Sequence, residues 1–161
     1  GCLTALQDLA KRTTAPRVLD IGCGSGVLAI AAAKLWRREV FATDIDPVAV
    51  LVTEQNAEVN GVGHQVMAFH ADGAVGVEEA YDVIVANILA APLRELASEI
   101  CLFLTSGGTA ILSGLTHDQE PSVLAAYLAR GSILAKRLRI GEWSTLVIRK
   151  LPQHYRNRTT R

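Results

Sequence analysis

From residue 18 to residue 26 the chain reads Val-Leu-Asp-Ile-Gly-Cys-Gly-Ser-Gly, an apolar run that passes into three glycines spaced two apart and then into an alanine-rich stretch. A buried strand joined to a helix through such a loop is the opening unit of an α/β sheet. Glycine at 22, 24 and 26 lets the backbone turn sharply and approach a ligand closely, with no Cβ in the way. An acid, Asp20, stands two positions before the first glycine.

The rest of the chain continues what this junction begins. Short apolar runs alternate with longer helical patterns through the first two thirds, which is the pattern of an α/β fold with a parallel sheet. Strands are predicted at 17–21, 39–43, 66–70, 81–86 and 109–112. Helices are predicted at 26–35, at 47–60 with Asp46 as N-cap and Gly61 as stop, from Pro92 to Leu104 closed by Gly107-Gly108, and at 120–129. A glycine-rich, acidic loop follows the third strand. Near the end, 133–140 and 143–149 flank a tight turn at Gly141-Glu142, which makes an antiparallel hairpin. The predicted fold is therefore a doubly wound, Rossmann-like sheet of seven strands, six parallel and the last reversed at or beside an edge. Residues 1–152 read as one domain, and 153–161, with Arg156, Arg158 and Arg161, as a basic, frayed tail.

Composition narrows the function classes. Lysine plus arginine equals aspartate plus glutamate at 16 each, so overall charge recruits neither nucleic acid nor an anionic membrane. The longest strictly apolar run, Val27 to Ala33, is far short of the roughly 20 residues that span a bilayer. Gly1-Cys2-Leu3 does not open a secretory signal, and the missing initiator methionine reads as the start of a fragment. Cys2, Cys23 and Cys101 form no CxxC or metal-ligand spacing, and His64, His70, His117 and His154 share none either. No metal is expected, and a reducing cytoplasm fits best. Oligomeric state is open at this level.

In an open α/β sheet, ligands bind outside the carboxyl ends of the strands, near the point where strand order reverses. A dinucleotide fingerprint, GxGxxG, would place its last glycine at Val27; here the third glycine comes one residue early. S-adenosyl-L-methionine carries no pyrophosphate and needs tight passage around a methionine moiety plus an anion near its sulfonium and amine. Asp20 can supply that anion. Asp44 closes strand two about 20 residues after the loop, where a carboxylate can accept two hydrogen bonds from a ribose diol. Asp46 is assigned to capping. Asp72, beside Gly73, can accept from an adenine amine. The cofactor-binding set is thus Asp20, Gly22, Cys23, Gly24, Gly26, Asp44, Ile45, Asp72, Gly73 and Asn87. The Cys23 side chain itself reads as a loop filler, since no histidine lies nearby in sequence to activate it.

Asn87 ends strand four in Val-Ala-Asn-Ile-Leu-Ala and is the catalytic candidate. Its carbonyl can accept from a substrate amine and aim the nitrogen lone pair at a sulfonium methyl; positioning of this kind supplies much of the barrier reduction in a direct displacement. The alternative, a cap for the Pro92 helix, lies rather far upstream. No strong base stands out. A lysine near pKa 10.4 can lose its proton to water, or in an apolar pocket that depresses its pKa. Trp143 reads equally as hairpin core or as pocket wall.

These residues resemble the class I, seven-strand S-adenosylmethionine-dependent methyltransferases. More closely, the chain is similar to the bacterial enzymes that methylate large-subunit ribosomal protein eleven. The resemblance rests on the run from Val18 to Ala32, on Thr43-Asp-Ile-Asp-Pro-Val-Ala-Val, on Asn56-Ala-Glu-Val-Asn-Gly-Val, and on Val85-Ala-Asn-Ile-Leu-Ala-Ala-Pro-Leu; Ser113-Gly114-Leu115 and Glu142-Trp143 extend it. It implies that Asp20, Gly22, Gly24 and Asp44 bind the cofactor and that Asn87 contacts both cofactor and substrate amine. The implied reaction is repeated methylation of lysine side chains and an N-terminal α-amine of that ribosomal protein. The family also carries a small recognition domain and a Gly-Thr-rich cofactor motif ahead of the position of Gly1, and neither lies within these 161 residues. Rival readings are methyl transfer to another protein or small amine, a non-catalytic cofactor-binding module, and a nicotinamide-dependent oxidoreductase that the early third glycine disfavours.

Overall fold

The computed structural model describes residues 1–74 and 80–152. The tail 153–161 and the second half of the acidic loop after the third strand lie outside the described residues. Along the chain run α1 (Cys2–Ala10), β1 (Val18–Ile21), α2 (Val27–Trp36), β2 (Val40–Asp44), α3 (Pro47–Val59), β3 (Val66–His70) and β4 (Tyr81–Asn87). They are followed by α4 (Ala90–Glu95), α5 (Ala97–Phe103), β5 (Leu104–Thr116), α6 (Glu120–Leu128), β6 (Ser132–Ile140) and β7 (Trp143–Lys150).

The seven strands form one sheet in the order β3-β2-β1-β4-β5-β7-β6. β1 pairs in parallel with both β2 and β4, and β4 with β5; β7 is antiparallel to β5 and β6. The reversed strand thus lies one place in from the edge, as the sequence leads one to expect. Strand order reverses between β1 and β4, and the chain leaves these neighbours in opposite directions. The crevice that results is where open sheets of this kind bind ligands.

Burial on both faces accounts for the near-continuous apolar character of the central strands. On one face Leu6 of α1, Ala29 and Ala33 of α2 and Ala57 of α3 pack on Val18, Val40, Val83 and Ile111. On the other, Leu93, Ile100, Val123 and Tyr127 of α4, α5 and α6 pack on Leu19, Ile84, Ala110 and Leu112. Asp46 caps α3 as expected, its carboxylate accepting from the Val48 N–H at 2.8 Å with Pro47 behind it. Among the described residues no helix is long and apolar enough to cross a membrane.

Three local expectations are corrected. α1 has no counterpart in the sequence reading, although Cys2, Ala5, Leu6 and Leu9 recur at helical spacing; a side-chain cap, the usual starting signal, is absent. The helix expected from Pro92 to Leu104 is two helices broken at Leu96. It begins earlier, at Ala90, with Pro92 tolerated inside the first turn, where the missing N–H costs no bond. Gly107-Gly108 does not stop a helix but lies inside β5, which starts at Leu104. The register there slips between Tyr81 and Val83, and Gly107 takes a φ of 81°.

Candidate active site

The glycine loop is stitched together by its own backbone. The N–H groups of Gly22 and Cys23 both donate to the Thr43 carbonyl at the end of β2, at 2.8 and 3.0 Å, and Gly26 N–H donates to the Cys23 carbonyl at 2.8 Å. Gly24 N–H donates to Asp44 Oδ2 at 2.8 Å, while Asp44 Oδ1 accepts from Asp46 N–H at 3.0 Å. Four loop amides are therefore engaged. A pyrophosphate loop leaves such N–H groups free to cradle oxygens; this one is not built as an anion nest.

The glycines answer to different neighbours. Gly22, at φ 72°, would bring a Cβ to 2.3 Å from Ile88 Cγ2, and Gly26, at φ 80°, would meet Thr53 at 3.0 Å. Gly24, at φ 56°, faces open space with nothing within 4 Å. Of the three, Gly24 is the exposed one, and its carbonyl accepts from Thr53 Oγ1 at 3.1 Å.

Asp20 lies beneath this loop, 1% exposed. One carboxyl oxygen accepts from the Ala29 N–H at 2.9 Å, in the first turn of α2, whereas Oδ1 has no partner. Burial without a cation pushes its pKa up to about 7; the Ala29 bond works against the rise and nearby Asp44 adds to it. A buried carboxyl of this kind is one cationic ligand short of satisfaction. Cys23 is buried, takes a hydrogen bond from Thr53 Oγ1 at 3.3 Å, and burial pushes its thiol up to about 11, so it stays a protonated filler.

Ile45 follows β2 with its side chain 68% exposed, its carbonyl held by a ring nitrogen of His70 at 3.0 Å. Asp72 is exposed beyond β3, next to that carboxyl end. Gly73 stands apart. It is buried, its carbonyl accepts from Thr43 Oγ1 at 2.6 Å, and a Cβ there would run into Glu99 and Leu96 of the α5 region. Its geometry is that of a packing glycine tying the loop after β3 to the opposite layer.

Across the switch point, Asn87 closes β4 opposite Ser113 of β5. It is exposed rather than buried, and its amide makes no hydrogen bond to the described residues; the α4 cap position is Leu89. Asn87, Ile88, Leu89, Ser113, Gly114 and Trp143 line a cleft of about 420 Å³. Trp143 is therefore pocket wall and not hairpin core. The sequence reading gave no role to Ile88 or Gly114, yet they set the shape of this cleft. Gly114, at φ 86°, lies so close to the Ile88 backbone that a Cβ would meet its carbonyl oxygen at 2.3 Å. Ile88 is thus pinned between Gly22 and Gly114. The usable signal was a polar residue followed by glycine, Ser113-Gly114, at the carboxyl end of a strand.

Among the described residues no group of histidine, cysteine and carboxylate side chains could hold a metal ion. The sheet order, the reversed strand beside the edge and the glycine loop at the switch point define the fold of the class I methyltransferases. Within that class, a family model described as ribosomal protein L11 methyltransferase (PrmA) matches residues 1–151, and the chain belongs to this family. It is 47% identical over 155 residues to the ribosomal protein L11 methyltransferase of Bradyrhizobium diazoefficiens, covering 94% of this chain and 52% of that one. It is 49% identical to the protein of the same name from Rhodopseudomonas palustris, covering 93% and 52%. The crystal structure of a ribosomal protein L11 methylase from Lactobacillus delbrueckii superposes with a TM-score of 0.85 at 33% identity, over 92% of this chain and 77% of that one. The chain spans about half the length of the curated relatives it matches.

Proposed function

We propose that this chain is the catalytic domain, over residues 1–152, of an S-adenosylmethionine-dependent protein N-methyltransferase that modifies lysine and N-terminal amines of ribosomal protein L11 in the cytoplasm. The observation that carries the reading is the pairing of two features across one crevice. On one side a buried carboxyl lacks a cation beneath a loop whose amides are already engaged. On the other an open, largely apolar cleft carries one free amide.

The residues present fit the cofactor. Asp20 would offer a counter-charge to its cationic part, Gly24 leaves space at the loop surface, Asp44 would offer an oriented carboxylate to a diol, and the exposed Ile45 and Asp72 would serve the base. When bound, S-adenosylmethionine supplies an electrophilic methyl group on a sulfonium. Asn87 accepts a hydrogen bond from the incoming amine through its side-chain oxygen and so fixes the direction of the nitrogen lone pair. Leu89 and Trp143, once covered by the entering acceptor, would exclude water around that nitrogen and favour its neutral form, so no side-chain base is required. Specificity for a protein substrate rests on surfaces beyond this cleft, in keeping with longer relatives.

The test is incubation of the full-length protein and a cell lysate with methyl-labelled cofactor. Label in ribosomal protein L11 is the expected result. Label confined to another band overturns the substrate, and tight cofactor binding with no label anywhere overturns the transfer reaction.

A further inference from the structure

The α6 end of the hairpin holds a carboxylate that the reaction as described does not use. Glu120 is 2% exposed at the first turn of α6 and is gripped from two strands. Its Oε2 is ion-paired with Arg137, whose Nε lies 2.7 Å away, and accepts from Arg139 Nη2 at 3.1 Å; its Oε1 accepts from Arg139 Nε at 2.8 Å. The Ser144 hydroxyl donates to the same Oε1. Arg139 hydrogen bonds hold the carboxyl down at about 2 against the effect of burial, so it is fully charged at any working pH.

This anchor sits one residue from the cleft. Ser144 follows Trp143 on β7 and pairs with Arg139 of β6 and Leu115 of β5. Its carbonyl accepts from the Ser113 hydroxyl at 3.0 Å, and Ser113 lines the same cleft as Trp143 and Asn87. Trp143 itself is 58% exposed and has little packing of its own to hold it. We propose that Glu120 is a positioning residue for the methyl acceptor: through Ser144 and Arg139 it fixes the hairpin corner from which Trp143 forms a wall of the acceptor cleft. The inference rests on the methyltransferase reading for its consequence, and on the hydrogen-bond chain alone for its structural half.

These 161 residues hold two tryptophans, and in a W36F background the Trp143 signal is read as the difference from the matching W36F/W143F protein. In that background of the full-length protein, E120Q weakens the arginine grip and S144A cuts the link to β7 while leaving both ion pairs. Both variants should raise acrylamide quenching of Trp143 and raise the KM for ribosomal protein L11 by about tenfold, with kcat and cofactor Kd within about twofold of the parent. Unchanged KM in folded variants overturns the positioning role, whether or not quenching moves. If E120Q does not fold, S144A alone decides. If the parent transfers no methyl group, it is the function that fails, and the quenching comparison still tests whether Glu120 holds Trp143.

Discussion

On the β1–β2 side of the crevice the amides of Gly22, Cys23 and Gly24 all have partners within the chain, whereas on the β4–β5–β7 side the Asn87 amide has none among the described residues and Leu89 and Trp143 stand mostly exposed. The loop backbone of the first wall is set before any ligand arrives. The second is completed by what enters it. Their buried carboxyls differ in the opposite sense. Asp20 is alone with an unpartnered oxygen, and Glu120 is held by two arginines and a serine.

The largest expected effect exploits the two carboxyls. Asp20 has a folded pKa of about 7 against an ordinary 3.8. Between these values the native chain keeps a proton that the unfolded chain gives up, so Asp20 lowers stability progressively as pH rises through this window. Below it Asp20 has no effect, and above about 7 its cost is complete, roughly 4 kcal/mol. Asp20→Asn should remove that slope, seen as denaturant midpoints that no longer fall between about pH 4 and 7. Glu120 works the other way. Its stabilisation is present above 4.5 and is lost as pH falls toward about 2. An Asp20→Asn profile identical to the parent's would mean that the donor-side carboxyl is not isolated.

Next comes the joint between the two walls. Gly114→Ala puts a Cβ against the Ile88 backbone, which cannot swing aside, at a φ that side chains rarely adopt. Strain and overpacking together should cost about 3 kcal/mol in urea unfolding. A loss near zero would show that residues 87–89 can shift, and that the cleft is softer than its geometry implies.

How much of this was legible in the sequence follows the same division. The local structure of the β1–β2 side was readable because glycines, a helix cap and strand-end acids are local signals, decided within a few residues of one another; Asp46 and Pro47 behave as their chemistry dictates. The hairpin and its reversed strand were readable from two apolar runs about a turn. The acceptor side was not, because its shape depends on contacts between residues far apart in the chain. Nothing near Gly114 announces that Ile88 will lie against it, and nothing near Glu120 announces Ser144. Gly73 and Trp143 show the same limit: one packs on α5 and the other opens to the cleft, and only the tertiary fold separates those outcomes. α1 was missed for a different reason, since its apolar spacing was present but no capping side chain marked its start.

Asn87 tests the open side directly. With no partner for its amide among the described residues, Asn87→Ala should leave the melting temperature unchanged and weaken cofactor binding by about threefold at most, while kcat for methyl transfer falls about 100-fold, the scale of losing one orienting contact. An equal fall in cofactor affinity would move Asn87 to the donor wall.

The smallest effect on stability is the most informative about the donor wall. Gly24→Ala makes the same change as Gly114→Ala, again at positive φ, but into space where nothing lies within 4 Å. Backbone strain alone remains, about 1 kcal/mol. In a loop whose shape serves only folding, that would be the whole consequence. If instead the open space is the cofactor's, the added methyl meets the ligand, and calorimetry should show affinity falling by more than the folding stability does. Unchanged cofactor affinity in a folded Gly24→Ala protein would remove Gly24 from the donor site and leave Asp20 and Asp44 to hold the ligand without the loop.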